Sequence, residues 1–492
     1  MEAIHLKTVD PISQYLLRSA AQQGTELLWE RYEKLQPQDG FLRLGLSCPY
    51  GCMQGPCRID PFGRGSDRGL CGLNKDGMVA AFLLRLTLHG VLELMNDFPN
   101  RYILAEKQGP SSLDEMFGRS LKNLGNRPLS LKEIHHSAFL LHRPWVSPEH
   151  LVEQALRLGI LSLKLSGRGK RTGKVSGKLG CKVGYGLLSG RKIFIGVSGN
   201  PSPKLVSSLF KEASRETSPP VQILSLGSWI PLERGFLPFG CTSGEAELLL
   251  SCGSIHLLLA GVQTPPSLLE FCGTLKIPFV MAQDGPKGRE ILGLARQRFS
   301  TGPQAEFISD PSLVQESRVA MAVQDLKDHL KTKKFRKLAV VGGSDTPQQP
   351  MGWLPVELAK ALLGEDYQVA GWGDAALWMM KDGLASKERD NAIAILDEKQ
   401  GPLLALRALT IARRLEDLKG VCFTGLKSCR DLAVALGLAS LGMKVCVADP
   451  LPLWGSEKIR NLLAEKMMAA GGGMTHFDHP ASPQEILEWF LK

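Results

Sequence analysis

The 492-residue chain reads as an α/β protein. A helical N-terminal domain carrying a cysteine cluster is followed by two doubly wound α/β domains. Three observations predict this. Apolar residues recur at helical spacing through the first third of the chain. From Lys192 onward, short β-rich runs alternate with helical segments, the pattern of parallel sheets. Four of the 11 cysteines fall between Cys48 and Cys71.

The helical domain is placed at residues 1–155. Ile12 to Leu35 and Gly77 to Met95 carry the helical period. Between them, Gln38 to Leu73 is a turn region rich in Gly, Pro and Cys. Residues 156–190 read as a basic, Gly-rich loop. Gln154 to Lys211 contains no Asp or Glu but twelve Lys or Arg, more than the whole-chain net charge of +10. Its centre, Lys164 to Lys182, interleaves basic residues with glycines and has too little apolar surface to fold alone. It reads as a solvated linker or as a dock for an acidic partner, steered by long-range attraction. Tyr185 is the one aromatic near it, which disfavours nucleic acid.

Residues 191–330 form the first α/β domain. Lys192 to Val197 is a strand that stops at Ser198-Gly199-Asn200-Pro201; Val221 to Leu226, Ile255 to Gly261 and Ile277 to Met281 repeat the pattern. A boundary falls near 331–337. Residues 331–492 form the second α/β domain, with strands at Leu338 to Val341, Val421 to Thr424 and Lys444 to Ala448. The two domains read as cousins.

Composition narrows the function classes. With 43% hydrophobic and 22% charged residues the chain is ordinary globular protein, not disordered. Eleven cysteines in this length are too sparse for a disulfide scaffold. Met1 to Thr8 is charged and no apolar core follows, so no secretory leader is expected. The longest charge-free apolar stretch, Leu248 to Leu269, contains Pro265-Pro266 and reads as buried strand and turn. A soluble cytoplasmic protein is expected, and clustered thiols in a reducing compartment mean metal or redox chemistry.

The cluster itself is Cys48-Pro-Tyr-Gly-Cys52-Met-Gln-Gly-Pro-Cys57, with Cys71 following in Gly69-Leu70-Cys71-Gly72. Thiolate-only ligation suits zinc or iron–sulfur clusters. The three-plus-one spacing is closer to ferredoxin-type cubane sites than to zinc ribbons built from two CxxC pairs. A [4Fe–4S] cluster held by Cys48, Cys52, Cys57 and Cys71 is therefore expected, with zinc as the alternative. Arg58, Arg64 and Arg68 are placed to balance its negative charge.

Several segments resemble a known family. Gly51-Cys52-Met53-Gln54-Gly55-Pro56-Cys57-Arg58-Ile59, then Gly69-Leu70-Cys71-Gly72, Asp76, Val79-Ala80 and Leu83-Leu84-Arg85, are similar to the N-terminal part of the anaerobic nickel–iron carbon monoxide dehydrogenases and their relatives, the hybrid-cluster proteins. Gly244 to Leu268 resembles the family's middle domain. Ser428 to Leu436, with Pro452, Trp454 and Ser456-Glu457-Lys458, resembles its last domain. The resemblance implies a helical iron–sulfur domain followed by two Rossmann-like domains. It also implies a homodimer, and assigns Cys48, Cys52, Cys57 and Cys71 to the subunit's own [4Fe–4S] cluster. The chain is shorter than the family's enzymes, chiefly in the helical first half.

The departures are as specific. Ser47 and about Asp39 stand where the family's intersubunit cluster has cysteines. The active Ni–Fe–S site uses one His and five Cys. Their places here hold the run Val197 to Pro201, Leu226, Thr264, Gly343, Trp372 and Cys429, so one of six survives. The family's relay histidines fall near Leu94 and Asp97, with His89 out of register. One thiolate cannot hold such a centre, so CO oxidation is not expected. Cys252, Cys272, Cys422 and Cys446 read as small hydrophobes. Cys241 reads the same way, although with Cys429 it is also a candidate to converge at the former cavity. Gly342 to Asp345 reads as a plain strand–helix turn, with an anion cradle as the alternative. Two functions follow. One is an electron-transfer subunit docked to an iron–sulfur or flavin partner, as homodimer or hetero-complex. The other is an oxidoreductase of the same fold with a remodelled cavity near Cys429.

Overall fold

The structure, a computed structural model, describes residues 7–35, 43–50, 52–96, 112–125, 127–143, 145–166, 179–215, 218–232, 235–302, 310–320, 326, 337–385, 393–396, 398, 401–412, 414–426 and 428–492. The statements below concern those residues.

Five helices precede the long one: α1 (Pro11–Gln22), α2 (Leu28–Leu35), α3 (Lys75–Asn96), α4 (Ser112–Asn123) and α5 (Lys132–Leu140). The long helix α6 (Pro148–Ser166) follows. Asp10 caps α1, its carboxylate accepting from the Ile12 and Ser13 amides at 2.7 and 3.0 Å, as an N-cap aspartate should. Helix α3 is long and apolar enough to cross a membrane by composition. Here it is a core helix, because Met78 to Ala81, Leu83, Leu84 and Val91 are wholly buried.

The strands are β1 (Leu179–Val183), β2 (Ile193–Ser198), β3 (Val221–Leu226), β4 (Phe239–Cys241), β5 (Ile255–Ala260), β6 (Phe279–Met281) and β7 (Gln315–Ala320). The second half adds β8 (Leu338–Gly343), β9 (Gln368–Trp372), β10 (Ile393–Leu396), β11 (Leu418–Phe423), β12 (Lys444–Val447) and β13 (Gly473–His476). They form one 13-stranded sheet in the order β13-β12-β11-β8-β9-β10-β7-β1-β4-β3-β2-β5-β6. Within each half the pairing is parallel. The second half has the doubly wound order 3-2-1-4-5-6, with its switch point between β8 and β11. The first half switches between β2 and β5 in the same way. The α/β class expected from the sequence is thus the observed one.

One feature was not visible in the sequence. The halves are joined, because β1 pairs antiparallel with β7 from Leu179↔Val319 to Val183↔Gln315. Strand β1 lies inside the segment read as a basic loop; residues 167–178 of that segment lie outside the described residues.

Helices α3 and α6 pack on α14 (Cys429–Ser440). Glycines permit the close crossing. A Cβ on Gly159 would stand 2.8 Å from the Gly437 nitrogen, and one on Gly437 would stand 2.3 Å from the Gly159 oxygen. Helices α3 and α6 therefore rest on the second α/β half, and α3 brings the cysteine loop with it.

Candidate metal centre

The loop is built by short backbone exchanges. The Cys48 amide donates to the Cys57 carbonyl at 2.9 Å and the Ile59 amide to the Leu46 carbonyl at 3.1 Å. These two bonds flank the Ser47–Arg58 bridge and bring Cys57 back beside Cys48. A second turn, closed by Gly69 N–H to Leu73 O at 2.9 Å and Gly72 N–H to Gly69 O at 2.8 Å, presents Cys71. Gly69 is what lets the turns meet. A Cβ there would come within 3.3 Å of Cys57 Cβ and 3.5 Å of its Sγ.

The loop is anchored from behind. Arg85 of α3 donates to the Pro49 carbonyl at 2.7 Å. Gly455 N–H donates to Leu44 O at 2.9 Å, and the Ser456 hydroxyl donates to Asp76 at 2.6 Å. These contacts give the Trp454–Ser456 segment a physical role in holding the cysteines.

The other three thiols lie within electrostatic reach of Cys48. Burial pushes the Cys48 thiol up, and Cys57, Cys71 and Cys52 each add to the rise. Tyr50, buried beneath the loop, is pushed up to about 12 by burial, with Cys48 and Cys71 contributing. The Gln54 amide points at Cys52 Sγ at 3.4 Å, the kind of N–H···S contact that tunes a cluster. Cys52 and Cys71 are exposed, while Cys48 and Cys57 are half-buried. Among the described residues no three His, Cys, Asp or Glu stand close enough to hold one metal ion. A cubane spreads its four thiolates over four irons and needs a wider set than a single ion does. The four-thiol donor set fits such a cluster better than one zinc.

The places of the family's other ligands are filled differently. Gly343 has φ +123°, and a Cβ there would stand 2.6 Å from the Gly425 carbonyl oxygen. Trp372 is 5% exposed and packs edge-on against Phe423 with ring centroids 5.2 Å apart. Leu226 and Thr264 are buried. Asn200 adopts φ 53° and donates through its side-chain amide to Gln263 at 2.8 Å. His89 is exposed and Leu94 buried; Asp97 and Asp39 lie outside the described residues.

The loops after β4, β8 and β9 meet in a hydrogen-bonded seam. The Thr242 hydroxyl donates to Asp345 at 2.6 Å and Trp378 Nε1 donates to the other Asp345 oxygen at 2.8 Å. Asp374 accepts from the Ser243 amide at 3.0 Å, the Ser243 hydroxyl at 2.5 Å and the Asp345 amide at 3.1 Å. Beside it, Lys381 pairs with Glu245 and Asp10, each at 2.6 Å. Burial, with Asp374 close by, pushes Asp345 up to about 7. Sequence reading missed this seam; Asp345 was noted as part of a turn, and Asp374 carries no local signal.

Cys241 and Cys429 have different neighbours. Cys241 is wholly buried and its thiol is raised far above the usual range, by burial first and then by Glu245. Cys429 opens α14 half-buried; burial, then Glu93, pushes it up to about 11. Neither is poised as a thiolate. At the ends of the basic segment, Lys182 pairs with Glu316 at 2.6 Å, and the Lys164 ammonium lies 5.3 Å from the centroid of the Phe117 ring.

No family sequence profile matches the chain. Over 84 residues it is 49% identical to carbon monoxide dehydrogenase 1 of Methanosarcina mazei, a segment covering 17% of this chain and 13% of that enzyme. Over 83 residues it is 49% identical to carbon monoxide dehydrogenase 1 of Carboxydothermus hydrogenoformans, with the same shares. The match thus spans a small part of these curated relatives. Solved structures align over nearly everything. A nickel-free carbon monoxide dehydrogenase from Thermococcus sp. AM4 gives a TM-score of 0.83 at 18% identity, over 99% of this chain and 96% of that one. Carbon monoxide dehydrogenase IV of Carboxydothermus hydrogenoformans gives 0.78 at 17% identity, over 98% of each. An α subunit of acetyl-CoA synthase/carbon monoxide dehydrogenase, described with NiZn[Fe4S4] and NiNi[Fe4S4] clusters, gives 0.75 at 16% identity, over 100% of this chain and 94% of that one. The chain has the carbon monoxide dehydrogenase fold. Over the shared segment of 84 residues it is also similar in sequence to those enzymes.

Proposed function

We propose that this chain is an iron–sulfur redox protein of the carbon monoxide dehydrogenase type. It holds one [4Fe–4S] cluster on Cys48, Cys52, Cys57 and Cys71, passes electrons within a larger cytoplasmic complex, and has no Ni–Fe–S centre of the usual kind. One contrast carries the reading. Four thiols converge on one loop, whereas the places of the second centre are taken by Trp372, by a Gly343 with no room for a side chain, and by the Asp345–Asp374 seam.

A bound cluster would supply a one-electron site near the surface. The protein's part is to hold and tune it. Cys48 and Cys57 sit on the buried side of the loop, the Gln54 amide faces sulfur, and the exposed Arg58, Arg64 and Arg68 lie nearby in sequence. Met53, Phe62 and Leu70 are 99%, 78% and 75% exposed around the same loop. Apolar side chains this open favour a covering partner, either a second copy or an iron–sulfur or flavin protein. The Lys164 to Lys182 segment would attract an acidic one.

The alternative, an oxidoreductase with a remodelled cavity near Cys429, has beside it a cleft at the β8–β11 switch point, lined by Ser344, Thr346, Gln349 and Thr424 but not by Cys429. Its volume of about 20 Å³ admits only one or two waters, which favours the first reading. Iron, nickel and sulfide analysis with EPR on anaerobically purified protein tests both. A reducible cubane signal without nickel supports the proposal; stoichiometric nickel, or no iron, refutes it.

A further inference from the structure

Two histidines face each other away from the cysteine loop. His136 lies on α5 and His150 on α6, with their Nε2 atoms 3.4 Å apart. The rings meet edge to face, interplanar angle 74°. That separation is long for a hydrogen bond. It matches the roughly 3.3–3.4 Å between two nitrogens bound at 2.0–2.1 Å to one tetrahedral zinc.

The helices carrying the rings are locked together one turn away. Glu133, one turn before His136, pairs with Arg157 at 2.5 Å and accepts from Gln154 at 2.8 Å. Gln154, one turn after His150, also donates to Ser137 at 3.0 Å. The wholly buried Arg157 donates further to the Leu124 and Arg127 carbonyls, each at 3.0 Å. The imidazoles are therefore presented by rigid elements, as a metal site requires.

We propose that His136 and His150 form a two-histidine site for a divalent transition ion such as zinc or nickel, with waters completing the coordination. No third His, Cys, Asp or Glu joins them among the described residues. The rings are half-buried, so solvent reaches the open positions and the ion is exchangeable. Binding uses both Nε2 lone pairs. Each neutral ring keeps its single N–H on Nδ1 when its Nε2 binds the ion, so neutral histidines bind without net proton loss.

Zinc soaked into crystals of the full chain, located by anomalous scattering, tests this separately from the cysteine loop. The expected result is a peak bonded to both Nε2 atoms. That peak should be lost in His136→Ala and in His150→Ala, while zinc or iron density at the cysteines is unchanged. Nitrogen NMR of the histidines in solution should show both rings in the Nδ1–H tautomer, with both Nε2 resonances shifted, on zinc addition. His136→Gln, which keeps the side-chain volume, serves if the alanine variant misfolds. No peak between the rings under excess zinc, or a peak that survives His150→Ala, overturns the proposal.

Discussion

The Thr242 hydroxyl donates to the Asp345 carboxylate at 2.6 Å across 103 residues of chain, tying the first α/β half to the second. The tie is pH-sensitive with a defined sign. Burial, aided by Asp374, pushes Asp345 up from the usual carboxylate range to about 7 in the folded protein. A raised carboxyl pKa contributes stability that is full below the unfolded value and lost as pH rises through the folded one. Between about pH 4 and pH 7, the native protein should lose thermal stability relative to Asp345→Asn. Equal slopes in the two melting profiles across that window would sink this assignment.

Removing the acceptor altogether should cost more. Asp345→Ala leaves the Thr242 hydroxyl and the Trp378 indole N–H without their partner. Each buried donor left unmet costs about 1–3 kcal/mol, so a loss of about 2–5 kcal/mol is expected in denaturant titrations. A change within 0.5 kcal/mol, the size typical of surface substitutions, would mean that the seam is wet.

Cys57→Ser should abolish the cubane EPR signal and most bound iron. Gly69→Val should lower iron content without removing a ligand, because a Cβ at 69 already approaches Cys57 Cβ to 3.3 Å. Both variants should keep the wild-type circular dichroism. Full iron loading in Gly69→Val would show that the two turns need not touch. Since the Cys48 thiol is held up by burial and only thiolates bind metal, reconstitution should also weaken as pH falls.

Putting a ligand back at 343 should fail. Gly343→Cys forces φ +123° on a side chain 2.6 Å from the Gly425 carbonyl oxygen, a strain of about 1–3 kcal/mol before any collision. The variant should melt lower and bind no nickel. Nickel uptake with an unchanged melting point would mean that the β8–β11 loops open more readily than their packing implies.

What the sequence disclosed follows from range. The cysteine loop was legible because its four ligands and their turns lie within 24 residues. Helix α3 was legible because its period is long and apolar. Strand β7, Gln-Glu-Ser-Arg-Val-Ala, was not, since four of its six residues are polar and its pairing to β1 spans more than a hundred residues. The seam was hidden for the same reason: Ser243 and Asp374 are 131 positions apart, and neither stands in a motif. The His136–His150 pair depends on how two helices cross, which spacing alone does not fix.

Strand β7 has an awkward ownership. It precedes the boundary expected from the sequence at 331–337, yet it pairs on one side with β1 and on the other with β10. Cutting the gene at that boundary would leave the N-terminal fragment with a naked parallel edge and strip the C-terminal fragment of its terminal neighbour. Exposed edges of this kind recruit other chains. The sheet is therefore one structural unit, and neither half on its own keeps both of the neighbours that strand β7 joins.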